Sequence, residues 1–310
     1  ATRCTPGSSP RSPERSMRVA RIAFRTHVAL SVGSAVAFAT FLVPPIPEFF
    51  QRPLNQLIMD YAYKFGGQST VVLGAVAAIW FLAAQVGWRR TLQALAICFV
   101  LSFAAEAIGT VTGAPFGPYI YTDRLGFRIA GLVPFNIPTS WFYLAVCALG
   151  ISGRLLPAKD DSLSKWWWAF IAGLILTAWD LVMDPAMFRT EHWLWQLPDL
   201  PGAPAWQQWL VSRDAYFGVP PANFLGWILT GTLVTRAMLA VIPPSMWAAK
   251  VAPHQFPVAL YAANAILPIT ICLRWGMAPA AFVGIVAMGI PLVLAYRAKP
   301  ATPASATAST

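Results

Sequence analysis

The chain is 310 residues long, 57% apolar and only 11% charged, with a mean hydropathy of +0.58. Soluble domains carry roughly 25% charged residues, so this composition excludes a soluble enzyme and predicts an all-α integral membrane protein. The net charge of +10 does not point to nucleic acid, because the basic residues follow the topology set by the hydrophobic stretches.

Residues 1–22 form a basic N-terminal tail, expected to be disordered and rich in Ser, Pro and Arg at its start. The printed chain begins without Met. Met17, ahead of the basic and then apolar run RVARIAF, is a candidate start; the first span then reads as an uncleaved signal anchor, with cleavage at the small residues near Ala35 and Ala37 as the alternative. A single membrane domain follows over residues 23–297, and a disordered tail over 298–310. Within the domain, about eight stretches match a hydrocarbon core of ~30 Å. They run over Phe24–Val43, Val71–Val86, Thr91–Gly109, Thr139–Leu156, Trp166–Met183, Asn223–Ile242, Phe256–Leu273 and Ala278–Tyr296.

Between the first two spans, Glu48–Gly67 has apolar residues at helical spacing and is expected to lie on the outer surface as an interfacial helix. With eight spans and a cytoplasmic N-terminus, fifteen of the 22 basic residues fall inside and seven outside. That bias follows the positive-inside rule and puts both termini on the cytoplasmic side of a cell membrane. Trp166–Trp168, Trp193, Trp195, Trp206 and Trp209 fit an aromatic belt at the membrane surfaces. Cys98, Cys147 and Cys272 lie within spans and Cys4 in the tail, with no spacing that suggests a disulfide framework.

Three carboxylates interrupt the apolar pattern: Glu106, Asp180 and Asp184. A charged residue at the centre of a bilayer helix costs about 2.5–3.5 kcal/mol on insertion scales, and such residues mark functional sites. Their helical spacing is informative. Ser102 and Glu106 share a face, as do Thr177, Asp180 and Asp184, and likewise Asn223, Trp227 and Thr230. These faces are expected to converge on one cavity near the outer leaflet.

Two outer loops flank the carboxylates. The first, residues 109–138, is broken by glycines and prolines and carries Phe116, Tyr119, Tyr121 and Phe127. The second runs from Asp184–Pro185 through Trp193 and Trp195 to Tyr216 and Asn223. Both read as structured aromatic re-entrant loops over a greasy site. The chemistry open to that site is narrow. There are three histidines, too few for the histidine boxes of di-iron enzymes, and no GxGxxG, P-loop, G-x-S-x-G or Cys/His metal pattern. Acid–base chemistry without metal or cofactor is the expectation.

Glu106-x-x-Gly109, Thr112-Gly113-x-Pro115-Phe116-Gly117-x-Tyr119-x-Tyr121, Leu125-Gly126, Gly131, Pro134 and Trp141 resemble one signature of the membrane carotenoid-biosynthesis hydratases. Asp180-x-x-x-Asp184-Pro185, Trp193-x-Trp195, Tyr216-Phe217-Gly218-Val219-Pro220 and Asn223-Phe224-x-Gly226-Trp227 resemble a second. The resemblance covers roughly residues 100–230 and implies addition of water to the C-1′,2′ double bond of an acyclic carotenoid end group. It implies Glu106, Asp180 and Asp184 as catalytic carboxyls, with Asp180 or Glu106 first as the acid and Asp184 foremost as base. Tyr119, Tyr121, Tyr216, Asn223 and Trp227 would line the substrate cavity. The implied partners are a hydrophobic carotenoid and the lipid bilayer, with other carotenoid-biosynthesis enzymes as candidate associates. Three other readings stay open: an intramembrane prenyltransferase using Asp180-x-x-x-Asp184, a proton-coupled transporter using the buried acids as a relay, and a scaffold.

Overall fold

In hydrocarbon every backbone amide must be bonded internally, so an apolar chain of this kind resolves into helices. The computed structural model describes residues 13–42, 46–212 and 214–298. The two outer parts of the expected tails, and Cys4, lie outside them. The helices are α1 (Pro13–Thr40), α2 (Pro53–Val86), α3 (Trp88–Thr112), α4 (Asn136–Leu155), α5 (Ser162–Arg189), α6 (Ala205–Leu210), α7 (Pro221–Val241), α8 (Pro244–Met246), α9 (Phe256–Ala263), α10 (Ile266–Arg274) and α11 (Ala278–Arg297). Short strands β1 (Tyr119–Tyr121), β2 (Arg128–Ile129) and β3 (Val133–Pro134) lie between α3 and α4, and β4 (Trp193–Trp195) follows α5.

Among the described residues, seven helical segments are long and apolar enough to cross a membrane, with α9 and α10 counted together. The chain is a multi-pass membrane protein. The eighth expected span is α4, less apolar than the rest for a physical reason. Every side chain from Trp141 to Ser152 is buried, because α4 packs against α2, α3, α5 and α9. A helix walled off from lipid can carry Trp, Tyr, Cys and Ser at no cost in lipid contact. At the end away from the site, Arg154 fastens it by donating to the carbonyls of Ala252 (2.7 Å), His254 (2.9 Å) and Ala295 (3.1 Å).

Three expectations are corrected. Residues 13–22, assigned to a disordered tail, are the opening turns of α1, with Ser16 and Ala20 buried. The segment 53–67 is not a separate interfacial helix but the first half of α2, a continuous 34-residue helix. At 1.5 Å per residue it is about 51 Å long, so one end projects beyond the hydrocarbon core. Gly66 and Gly67 weaken that helix without breaking it, and Leu54, Leu57, Ile58 and Tyr61 stay exposed along the projecting part.

The seventh span is two half-helices, α9 and α10, separated at Asn264–Ala265. Pro268 has no N–H to give the carbonyl four residues back, which is that of Asn264. The indole of Trp179 supplies the missing donor at 3.0 Å. Broken backbone at membrane depth survives where protein re-satisfies it.

Helices α5 and α7 approach each other closely. A Cβ on Gly173 would sit 2.7 Å from Thr232 Oγ1 and 3.0 Å from the Ile228 carbonyl, and one on Gly231 would sit 3.1 Å from the Gly173 Cα. Small residues at both contact points let the two backbones touch. This apposition brings Asn223 of α7 against the acidic face of α5.

Candidate active site

The two outer loops are one unit. β1 pairs antiparallel with β4 in the register Tyr119↔Trp195, Ile120↔Leu194 and Tyr121↔Trp193. The pairing is extended by Thr122 N–H to the His192 carbonyl (3.0 Å) and Gln196 N–H to the Pro118 carbonyl (2.8 Å). Alternation along a strand sends successive side chains to opposite faces. Tyr119, Tyr121, Trp193 and Trp195 therefore turn inward and are buried, while Ile120 and Leu194 point out. Trp193 and Trp195 are thus cavity walls rather than belt residues. Trp168 also leaves the belt, fully buried and donating to the Pro157 carbonyl at 3.1 Å. Trp166, Trp167, Trp206 and Trp209 are exposed, as a belt requires.

The inward phenols close on Glu106. Its Oε2 accepts from Tyr119 at 2.5 Å and Tyr121 at 2.6 Å, and its Oε1 accepts from the Trp141 indole at 3.0 Å. All three partners are donors, so Glu106 is held as an acceptor in fixed orientation. Burial first, and then the Glu106 charge, keep both tyrosines well above the usual phenol range, so they remain donors. Gly109, one turn beyond Glu106, makes the arrangement fit. A Cβ there would meet Phe116 Cδ2 and Tyr119 Oη, each at 3.0 Å.

The second acidic group comes from α5. The Asn223 amide nitrogen donates to Oδ2 of Asp180 at 2.9 Å and to Oδ2 of Asp184. One amide thus joins two carboxyls. Asp184 and Asn223 line the cavity, whereas Asp180 is fully buried and not part of the lining.

Between the two groups lies a cavity of about 170 Å³. Glu106, Tyr119, Tyr121, Asp184, Asn223 and Trp227 line it, so it gathers six of the eight residues proposed from the sequence. Trp227 stacks on Trp141 with centroids 4.2 Å apart and meets Trp179 edge-on at 5.9 Å. Trp179, Trp193, Trp195, Asn136, Ser140, His192 and Asn264 join the lining without having been singled out for it. Asn264 also accepts from the Tyr143 hydroxyl at 3.0 Å. The spacing of Asn264 and Pro268 was the available signal for that wall, since a proline frees the carbonyl four residues before it. His192 Nδ1 lies 2.8 Å from the Thr190 hydroxyl. Burial, aided by the charge of Arg124, lowers its pKa to about 4, so the ring is neutral near pH 7.

Tyr216 is not among the lining residues. Its hydroxyl donates at 2.7 Å to the carbonyl of Leu181, the group that Pro185 leaves without a helical donor. Ser102 and Thr177 also stay out of the site, bonding to their own helices at Phe99 and Gly173. Asp160 and Asp161 lie at the far end of α5. Asp161 caps that helix through Ser164 N–H at 2.9 Å, and Asp160 accepts from Ser245 N–H at 2.9 Å. They cannot complete an aspartate-rich diphosphate site with Asp184, some twenty residues and about 34 Å of helix away.

The chain belongs to the carotenoid biosynthesis protein family, whose model matches residues 66–291, a range that includes Glu106, Asp180, Asp184 and Asn223. Over 145 residues it is 29% identical to the bisanhydrobacterioruberin hydratase of Haloarcula japonica, a match covering 47% of this chain and 43% of that protein. The matched part is thus less than half the length of that relative. No solved structure gives a significant match.

Proposed function

We propose that this protein is a carotenoid hydratase that adds water to the terminal C-1′,2′ double bond of an acyclic ψ end group, on lycopene, γ-carotene or a longer relative. One observation carries the reading. A carboxylate gripped by three donors and one carboxyl of an amide-bridged pair face one small cavity walled by aromatic rings.

Its volume fits the chemistry. An apolar cavity of about 150 Å³ holds a ring the size of benzene, so about 170 Å³ takes one branched isoprenoid end and not a whole polyene. The remainder of the substrate would stay in lipid beside the bundle.

Hydration needs a proton donor, a stabilised cation and a base. Two carboxyls on one amide, away from water, cannot both be ionised without strong repulsion, so the Asp180–Asp184 pair would hold one proton between them. Asp184 faces the cavity and would deliver it, with Asp180 as the partner behind. That ordering differs from the one drawn from the sequence, because Asp180 has no direct path to the substrate.

The π electrons of the double bond take the proton at C-2′, leaving a tertiary cation at C-1′. Indole faces of Trp227 and Trp179 and the negative charge of Glu106 stabilise it. A water oxygen then forms the C–O bond at C-1′, and its surplus proton passes to Glu106. Proton exchange through the cavity restores the starting state, and the net reaction consumes one water.

By the basic-residue distribution, the site would lie toward the outer leaflet of the cell membrane, with both termini cytoplasmic. Co-expression with lycopene or γ-carotene synthesis tests the function. A pigment heavier by one water with an unchanged chromophore is expected. Unaltered pigment with the protein verified in the membrane, across lycopene, γ-carotene and longer acyclic carotenoids, contradicts it.

A further inference from the structure

Hydration within a membrane poses a problem of supply: one water must be held beside an apolar double bond. We infer that Asn136 and Ser140, at the start of α4, form the binding site for the reacting water; this rests on the hydratase reading.

Asn136 is 4% exposed, and its Oδ1 is buried with no protein hydrogen-bond partner. Buried polar atoms are normally bonded to protein or to ordered water. Asn136 lines the same cavity as Glu106 and Asp184, so its amide stands at the wall where the reaction would take place. The side-chain amide both accepts and donates, and that remains true whichever way the amide is turned.

Ser140 is one helical turn on and lines the cavity too. Its hydroxyl proton is committed to the Ile137 carbonyl at 2.8 Å, which leaves the oxygen lone pairs to accept from the same water. The next residue, Trp141, donates to Glu106 at 3.0 Å. Water held on this wall therefore sits on the helix that also anchors the proposed base. With one proton on Asn136 Oδ1 or Ser140 Oγ and the other directed to Glu106, the water attacks C-1′ through a free lone pair and Glu106 takes the proton it sheds.

Purified protein in detergent micelles with lycopene in D2O separates the roles. Protonation followed by loss of a proton from C-2′ puts deuterium into unhydrated carotenoid, and this exchange does not require captured water. Asn136→Leu, nearly isosteric but without the amide, should lower hydration at least about tenfold, as loss of one well-placed hydrogen bond does. Deuterium exchange should continue within about threefold of the wild type. Because this oxygen bonds to no protein group, Tm should stay near that of the wild type. Asn136→Ser, with a smaller acceptor, should recover part of the hydration.

Hydration within twofold of wild type in Asn136→Leu overturns the inference. So does loss of exchange together with hydration in both variants, which would make Asn136 structural. If both are lost in Asn136→Leu alone and Asn136→Ser keeps exchange with reduced hydration, the inference stands. A wild-type protein that exchanges and hydrates no acyclic carotenoid would instead refute the hydratase reading.

Discussion

The Tyr119 hydroxyl lies 2.5 Å from Oε2 of Glu106, thirteen residues away along the chain. The contact joins the short strand β1 to α3, and it depends on Gly109 leaving room for the ring. Catalysis in this account rests on such orientation, with each carboxyl fixed by partners from another element.

Removing a donor from Glu106 should therefore slow hydration without unfolding the protein. A hydrogen bond to a charged group is worth about 1.5–3 kcal/mol, equivalent to roughly ten- to a hundredfold in rate. Tyr121→Phe and Tyr119→Phe should each lose activity in that range, measured by conversion of lycopene in membranes, with near-normal amounts of protein in the membrane.

Gly109→Ala tests the packing that seats Tyr119. The added methyl carbon meets Tyr119 Oη and Phe116 at 3.0 Å, tighter than ordinary contact. Displacing reacting groups by a fraction of an ångström to an ångström costs up to about a hundredfold. A clear fall in turnover with unchanged helix content by circular dichroism is the expected result.

Tyr216→Phe should behave differently. It leaves the Leu181 carbonyl beside Pro185 without its donor, which costs about 1–3 kcal/mol. Because Tyr216 does not line the cavity, Tm in detergent should drop while the KM for carotenoid stays near wild type.

His192 sets an acid limit on stability. Its ring titrates near 4 when folded against an ordinary value of 6.5. Between those values the unfolded chain binds the proton and the folded one does not, so stability rises with pH and falls as pH drops from 6.5 toward 4. The fall in Tm between pH 7 and 4.5 should be smaller in His192→Gln than in the wild type.

Much of this site is legible in the sequence because lipid makes polar residues conspicuous. Glu106, Asp184 and Asn223 stand out at helical spacing in apolar runs, and Trp227 lies one turn from Asn223. The β1–β4 pairing is not legible. Three-residue strands have too little periodicity, and Trp193-x-Trp195 reads equally well as a surface belt. Tyr216 lies beside a recognisable motif, yet its partner is a backbone carbonyl that only Pro185 hints at. The break at Asn264 hides in a stretch whose hydropathy is that of one span. Asn136 shows itself only when the partners of its amide are traced in three dimensions.

The most direct measurement is the pigment made by Asp184→Asn beside the wild type in a bacterium that synthesises lycopene, with both proteins verified in the membrane. The account predicts a product one water heavier from the wild type and none from the variant, because an amide cannot deliver the proton. Full hydration by Asp184→Asn would contradict it.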